Sequence, residues 1–162
     1  MGGAAPTRPV RVPTALGTIA LELPQGAELV PDPGAADGAL LMWAPDPSLG
    51  GFSLSHGAAA GRRADDLLAL ERGFARTVDV AGEGDDELRL IVETPGSRDL
   101  VEGLDGRLTG SSQEPRRERV RFRFWEQGDQ AVRVGYRLDE RAPAALGDAF
   151  DRATDSARLE PS

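Results

Sequence analysis

Cysteine is absent from this chain of 162 residues, so disulfides, thiol nucleophiles and cysteine metal sites are excluded. His56 is the single histidine, which removes every multi-histidine zinc or iron site. All 19 basic residues are Arg, and neither Lys nor Asn occurs, so Schiff-base and P-loop lysine chemistry are excluded. Aromatic residues are scarce: five Phe, two Trp and one Tyr leave a lean core of Leu, Val and Ala. Positive charge is in the minority. The 27 acids against 19 bases give a net charge of −8, which argues against general affinity for nucleic acid or an anionic membrane. No stretch approaches the roughly 18 apolar residues that a membrane-spanning helix needs. The first sixteen residues carry Pro6, Pro9, Pro13, Arg8 and Arg11 and no apolar run that could form a signal-peptide core. A cytoplasmic protein is the expectation, although a chain whose signal or lipid anchor had been trimmed would read the same.

What is present points to one domain. The length suits a single core, and 40% apolar with 28% charged residues is globular composition. The expected layout is a flexible N-terminal segment over 1–16 and one α+β domain over 17–162. Ile19, Leu21 and Leu23 alternate with Thr18, Ala20 and Glu22, the period-2 pattern of a half-buried strand. The unbroken ALLMWA of Ala39–Ala44 predicts a strand covered on both sides. Phe52, Leu54 and His56 alternate with Ser53 and Ser55 in a third strand.

A helix is expected over Ala64–Val78. Asp65 and Asp66 suit its positive end, Arg72 and Arg76 its negative end, and Leu67, Leu70, Phe74 and Val78 form its apolar stripe. An acidic Gly-rich loop, Gly82–Glu87, precedes a strand over Leu88–Val92. Leu100 and Val101 suit a turn or strand start, and Leu104, Gly106, Leu108 and Gly110 suit a strand weakened by glycine. In the next hairpin Val120, Phe122 and Phe124 alternate with Arg119, Arg121 and Arg123, and after Glu126–Gln130 come Val132, Val134, Tyr136 and Leu138. Pro143 suits the first turn of a final helix with Leu146, Phe150, Ala153 and Ala157 on one face. Together these predict a mainly antiparallel sheet flanked by one mid-chain helix and one C-terminal helix. Parallel strand–helix alternation of the nucleotide-binding kind is missing.

Three local features resemble the PsbP-like superfold. They are an opening strand ending in LPQGAEL (Leu23–Leu29), the RADDLLALERGF helix (Arg63–Phe74), and the closing AFDRATDSARLE (Ala149–Glu160), in which Ser156 and Leu159 supply a Ser-then-apolar tail. Coverage runs from about Gly17 to Leu159. The superfold includes photosystem II extrinsic proteins, a Ran-binding factor, envelope lipoproteins and the Eag chaperones of secretion effectors. Ala27 stands where members often carry an aromatic, and the short Asn- and Arg-containing motif of Eag chaperones has no counterpart. The resemblance implies a sandwich fold and a non-enzymatic role, and fold alone selects no partner.

Candidate sites are few. His56 with Ser53 or Ser55 contains a base and a nucleophile, but period 2 sends the serines to the opposite face. Asp85, Asp86 and Glu87 lack the alternating ligands of a calcium loop and read as a solvated acidic loop. Gly103, Gly106 and Gly110 match no phosphate-binding fingerprint. Trp43 and Trp125 suit the core or a groove wall.

The arginines of the hairpin stand out. Arg119, Arg121 and Arg123 share one face of their strand, and Arg133 and Arg137 of the partner strand are expected to join them on one sheet surface. Crowded like charges need an answer. Either Glu118, Glu126, Asp139 and Glu140 pair with them, or they dock a carboxylate- or phosphate-bearing partner. The expected function is a non-catalytic protein-binding adaptor or chaperone without metal or cofactor, with a secretion effector as the partner class that the resemblance implies. The alternatives are the soluble domain of a ligand-binding envelope lipoprotein and a START-like binder of small apolar ligands, the latter requiring a deep cavity between helix and sheet.

Overall fold

The computed structural model describes residues 6–32, 40–74, 77–83, 86–94, 97–102, 108–113 and 115–160. In chain order the elements are β1 (Thr7–Thr14), β2 (Gly17–Pro24), β3 (Val30–Pro31), β4 (Leu40–Trp43), β5 (Gly50–Ala58) and α1 (Ala64–Phe74). There follow β6 (Thr77–Glu83), β7 (Glu87–Thr94), β8 (Ser97–Glu102), β9 (Leu108–Gln113), β10 (Arg116–Gln127), β11 (Gln130–Asp139), α2 (Ala144–Ser156) and β12 (Arg158–Glu160). Seven strands form the main sheet in the order β3-β4-β5-β11-β10-β7-β6, three form a second sheet β1-β2-β12, and β8-β9 make a separate hairpin. The strand pairings are antiparallel, so the fold is α+β with one mid-chain and one C-terminal helix.

Each face of the main sheet has its own core. On one face, Phe52, Leu54, Val132, Val134, Tyr136 and Leu138 meet Phe150, Ala153 and Ala157 of α2 and its C-terminal end, together with Val12, Ile19, Leu21 and Leu23 of the small sheet. Phe150 is fully buried, a burial that stabilises by about 3 kcal/mol, and its ring lies 5.0 Å from Trp43 and 5.6 Å from Tyr136. On the other face, Leu67 of α1 covers Leu88, Leu90, Val92, Val120 and Phe122. The tail after α2 is stitched by Ser156, whose hydroxyl donates to Ala153 O (2.8 Å) and accepts the Glu22 N–H (2.9 Å). Leu159 then pairs with Ile19.

Several expectations need correction. Residues 7–14, assigned to a flexible segment, form β1; Val10 and Val12 pair with Leu21 and Ile19, and Pro9 and Pro13 are tolerated because β1 is an edge strand. The helix ends at Phe74 instead of Val78, which belongs to β6. Leu70 is exposed, because the inward stripe runs through Leu67, Leu68 and the buried Glu71, one helical turn beyond Leu67. The glycine-rich stretch forms a hairpin, with Leu100 and Val101 in β8 and Leu108 and Gly110 in β9; Leu104, Gly103 and Gly106 lie outside the described residues, as do Ala39, Ala75, Arg76 and Asp85.

Candidate functional site

The five hairpin arginines do not share a surface. Gln127 pairs with Gln130 across the two-residue turn Gly128–Asp129, with Gly128 at φ +61°. That turn length pairs odd-numbered residues of β10 with even-numbered residues of β11: Arg119 lies opposite Leu138, Arg121 opposite Tyr136, and Arg123 opposite Val134. Arg133 and Arg137, opposite Phe124 and Val120, therefore project from the other face. Three arginines stand on the α2 face and two on the α1 face.

On the α2 face the helix covers β11 and leaves a cleft of about 370 Å³ beside β10 and β7, walled by Arg89, Ile91, Arg119, Tyr136, Asp151 and Asp155. Arg121 is its buried floor. It donates to Glu87 (2.8 Å), Asp151 (3.1 Å) and Asp155. Burial pulls its pKa down, but the bonds to Asp155 and Glu87 outweigh this and raise it above the ordinary arginine value. The Tyr136 hydroxyl donates to Asp151 (2.5 Å), and burial followed by that bond pushes its pKa up. Arg123 donates to Thr154 O (3.0 Å) and Ala157 O (2.6 Å), answering the carbonyls at the C-terminal end of α2, and stacks 4.9 Å from the Trp125 ring.

The remaining arginines of this face are more exposed. Arg119 is 3.9 Å from Asp151 and lies over Tyr136 and beside Gly147, where a Cβ would stand 2.8 Å from its Nη2. Arg117 is 3.8 Å from Glu93 and 3.5 Å from Glu140, while Arg89 bonds Glu87 at 2.6 Å. All three are about half exposed.

The α1 face holds a denser network. Arg137 bonds Glu71 of α1 and lies 3.4 Å from Glu118; Arg116 reaches Asp139 (3.3 Å) and Glu118 (3.7 Å). Glu71, Glu118 and Asp139 are buried. Burial, reinforced by Asp139, raises the pKa of Glu118 despite Arg116. Bonds from Arg141 lower that of Asp139 to about 2. Arg133 differs from the others: it lies 5.2 Å from the Phe122 ring, and among the described residues nothing accepts a hydrogen bond from its buried Nε. Arg62 sits nearby, donating from Nε to Ser55 Oγ (3.0 Å) and from Nη1 to Ala58 O (3.0 Å).

His56 pairs with Val132 on the α2 face, whereas Ser53 and Ser55 project from the α1 face, so no nucleophile–base pair forms between them. Burial, then the charge of Arg62, lowers the His56 pKa. Glu87 of the acidic loop is committed to Arg89 and Arg121, and Asp86 is exposed. No group of three His, Asp or Glu among the described residues is placed to hold a metal ion, and no helix among them is long and apolar enough to cross a membrane. The α2–sheet interface is filled by Trp43, Phe52, Tyr136 and Phe150.

Sequence reasoning missed Arg89, Arg117, Arg62 and Glu71. Arg89 was legible, since it alternates with Leu88 and Leu90; Glu71 was legible only as an acid on an apolar helical stripe.

No family model and no curated protein matches the chain. Among solved structures it is similar to the solution structure of cyanobacterial PsbP (CyanoP) from Synechocystis sp. PCC 6803, at 11% identity and a TM-score of 0.47, covering 99% of this chain and 97% of that one.

Proposed function

We propose that the chain is a non-catalytic protein-binding adaptor that docks an acidic segment of its partner in the cleft beside α2. The observation that carries this reading is the half-exposed pair Arg89 and Arg119 beside Ile91 in that cleft, with Arg117 next along the same face of β10. Their intrachain acids, Glu87, Glu93, Glu140 and Asp151, are themselves partly exposed. Exposed ion pairs contribute about 0–1 kcal/mol each, so an incoming carboxylate exchanges for them at small cost. Arginine beside a partly exposed aliphatic residue also suits a binding hot spot, with the buried Tyr136 packed beneath it. Arg121 acts as the support that fixes α2 against the sheet, and Arg123 holds the helix end. The filled helix–sheet interface favours surface docking over the deep cavity of a START-like binder.

The test is affinity capture from native lysate with the wild-type chain and with an Arg89→Ser, Arg119→Ser double variant of unchanged circular dichroism. The expected result is one protein retained by the wild type and depleted at least about ten-fold by the variant, the equivalent of about 1.4 kcal/mol. Its sequence would identify the partner class, a secretion effector included. Recovery of the chain alone, or equal retention by both baits, would overturn the proposal.

A further inference from the structure

We infer that Arg133 and Arg62 flank a binding site for one carboxylate group on the α1 face, with Ser55 between them. The site lies across the sheet from the α2 cleft and is independent of the function proposed above.

Its parts are held in place by the strand register. Ser55 is the direct cross-strand partner of Arg133, is itself buried, and accepts the Nε–H of Arg62 at 3.0 Å. Arg62 is fixed a second time by its bond to Ala58 O, and its Cζ and both terminal nitrogens lie close beside Gly57. That approach requires glycine: the backbone there has φ +145°, and a Cβ would stand 3.0 Å from the Arg62 Cζ. Arg133 rests on the Phe122 ring. Its Nε is shut off from solvent with no acceptor, and it is the one buried side-chain donor or acceptor among the described residues left in that state. The other four hairpin arginines each have a carboxylate or carbonyl in reach: Arg119 and Arg121 have Asp151, Arg123 has Thr154 O, and Arg137 has Glu71.

The charge balance selects the ligand. Burial, then Arg62, disfavours the charged form of Arg133, and Asp66 is the acid that offsets this. The Asp66 carboxylate is already engaged, accepting the Gly61 N–H (2.9 Å) and the Arg63 N–H (3.1 Å). Two guanidiniums against one carboxylate leave one positive charge, which a single carboxylate cancels and a phosphate dianion overshoots in the presence of Asp66. Guanidinium nitrogens match the two oxygens of a carboxylate, and the Ser55 hydroxyl, an acceptor towards Arg62, retains its own proton to donate.

The test is a titration of the folded chain with sodium acetate, and separately with inorganic phosphate at the same ionic strength, following the arginine Nε–H and backbone amide resonances. Acetate is expected to give saturable shifts at Arg133, Arg62 and Ser55. Arg133→Gln is expected to weaken acetate binding at least about ten-fold, and Arg72→Gln, the same charge change on the exposed end of α1, less than about two-fold. Should Arg133→Gln fail to fold, Arg62→Gln supplies the same comparison. Unsaturable shifts, wild-type affinity in the Arg133 or Arg62 variant, or tighter binding of phosphate than of acetate would overturn the assignment.

Discussion

Replacing Arg121 by Met keeps most of the buried stem and removes the charge that joins α2 to β7. Three carboxylates lose a bond: Glu87, which keeps Arg89, Asp151, which keeps Tyr136 and Arg119, and Asp155, their side chains being 27%, 34% and 64% exposed. Stranding an acid in a dry interior costs about 3–5 kcal/mol, but these acids regain water, Asp155 most completely. Discounting Asp155 as a screened surface group leaves two charge-assisted bonds, each contributing about 1–1.5 kcal/mol after partial rehydration, hence a loss of about 2–3 kcal/mol. For a chain of this size that lowers Tm by about 4–12 °C. Urea and thermal unfolding at pH 7 measure it. The loss also carries a pH signature. Burial raises the pKa of Glu87, but bonds from Arg121 and Arg89 outweigh it and hold the group below its ordinary 4.5. Stability from such a depressed acid is present above the unfolded value and lost as pH falls through the folded one. The gap between Arg121→Met and wild type should therefore narrow below about pH 4.5. A loss under about 0.5 kcal/mol at pH 7, or a gap that widens in acid, would refute the role given to Arg121.

Asp139, held at about pKa 2 chiefly by Arg141, contributes stability that is present above its ordinary 3.8 and lost between 3.8 and about 2. Asp139→Asn should cost about 2–3 kcal/mol at pH 7 and flatten that acid limb, and a variant whose acid unfolding curve superimposes on the wild type contradicts this. At Gly135 an added Cβ would lie 1.9 Å from Arg121 O and 2.6 Å from Phe122 Cα, in the backbone of the central strand pair. Gly135→Ala should therefore destabilise by about 3 kcal/mol or leave the chain insoluble, and a soluble variant with unchanged Tm would show that β10 yields more easily than its register suggests.

Most of the framework was legible in the residues themselves. Alternation located β2, β5, β10 and β11, and the unbroken apolar run of Ala39–Ala44 located β4, whose residues are half-buried instead of covered on both sides; β7 was legible as an apolar strand over Leu88–Val92, and α2 from Pro143 and the spacing of Leu146, Phe150 and Ala153. Those signals succeed where one face is buried and the other wet. They fail at β1, where Pro9 and Pro13 imitate a loop, and at the end of α1, where the stripe from Leu67 continues in sequence to Val78 while the backbone turns into β6. The arginine surface failed for a different reason. Each strand was assigned its own faces correctly, but placing the two strands together needs the turn length, and a two-residue turn reverses the parity. Partnering is less legible still: Arg121 and Arg133 occupy similar sequence contexts, yet one is hydrogen-bonded to three acids while the Nε of the other has no acceptor, because only α2 brings Asp151 and Asp155 across.

The strand β12 lies against β2, which in turn holds β1, so the first and last described strands belong to one three-stranded sheet. A nascent chain emerging from the ribosome can form the β10–β11 hairpin before β12 emerges but cannot close this clasp until β12 itself is free. β12 runs in the same direction as β1 across β2, with Glu160 level with Pro13, so a circular permutation opened at the Gly128–Asp129 turn would need a bridge that returns about 20 Å along β1 to reach Thr7, and it would complete the clasp before the β10–β11 hairpin.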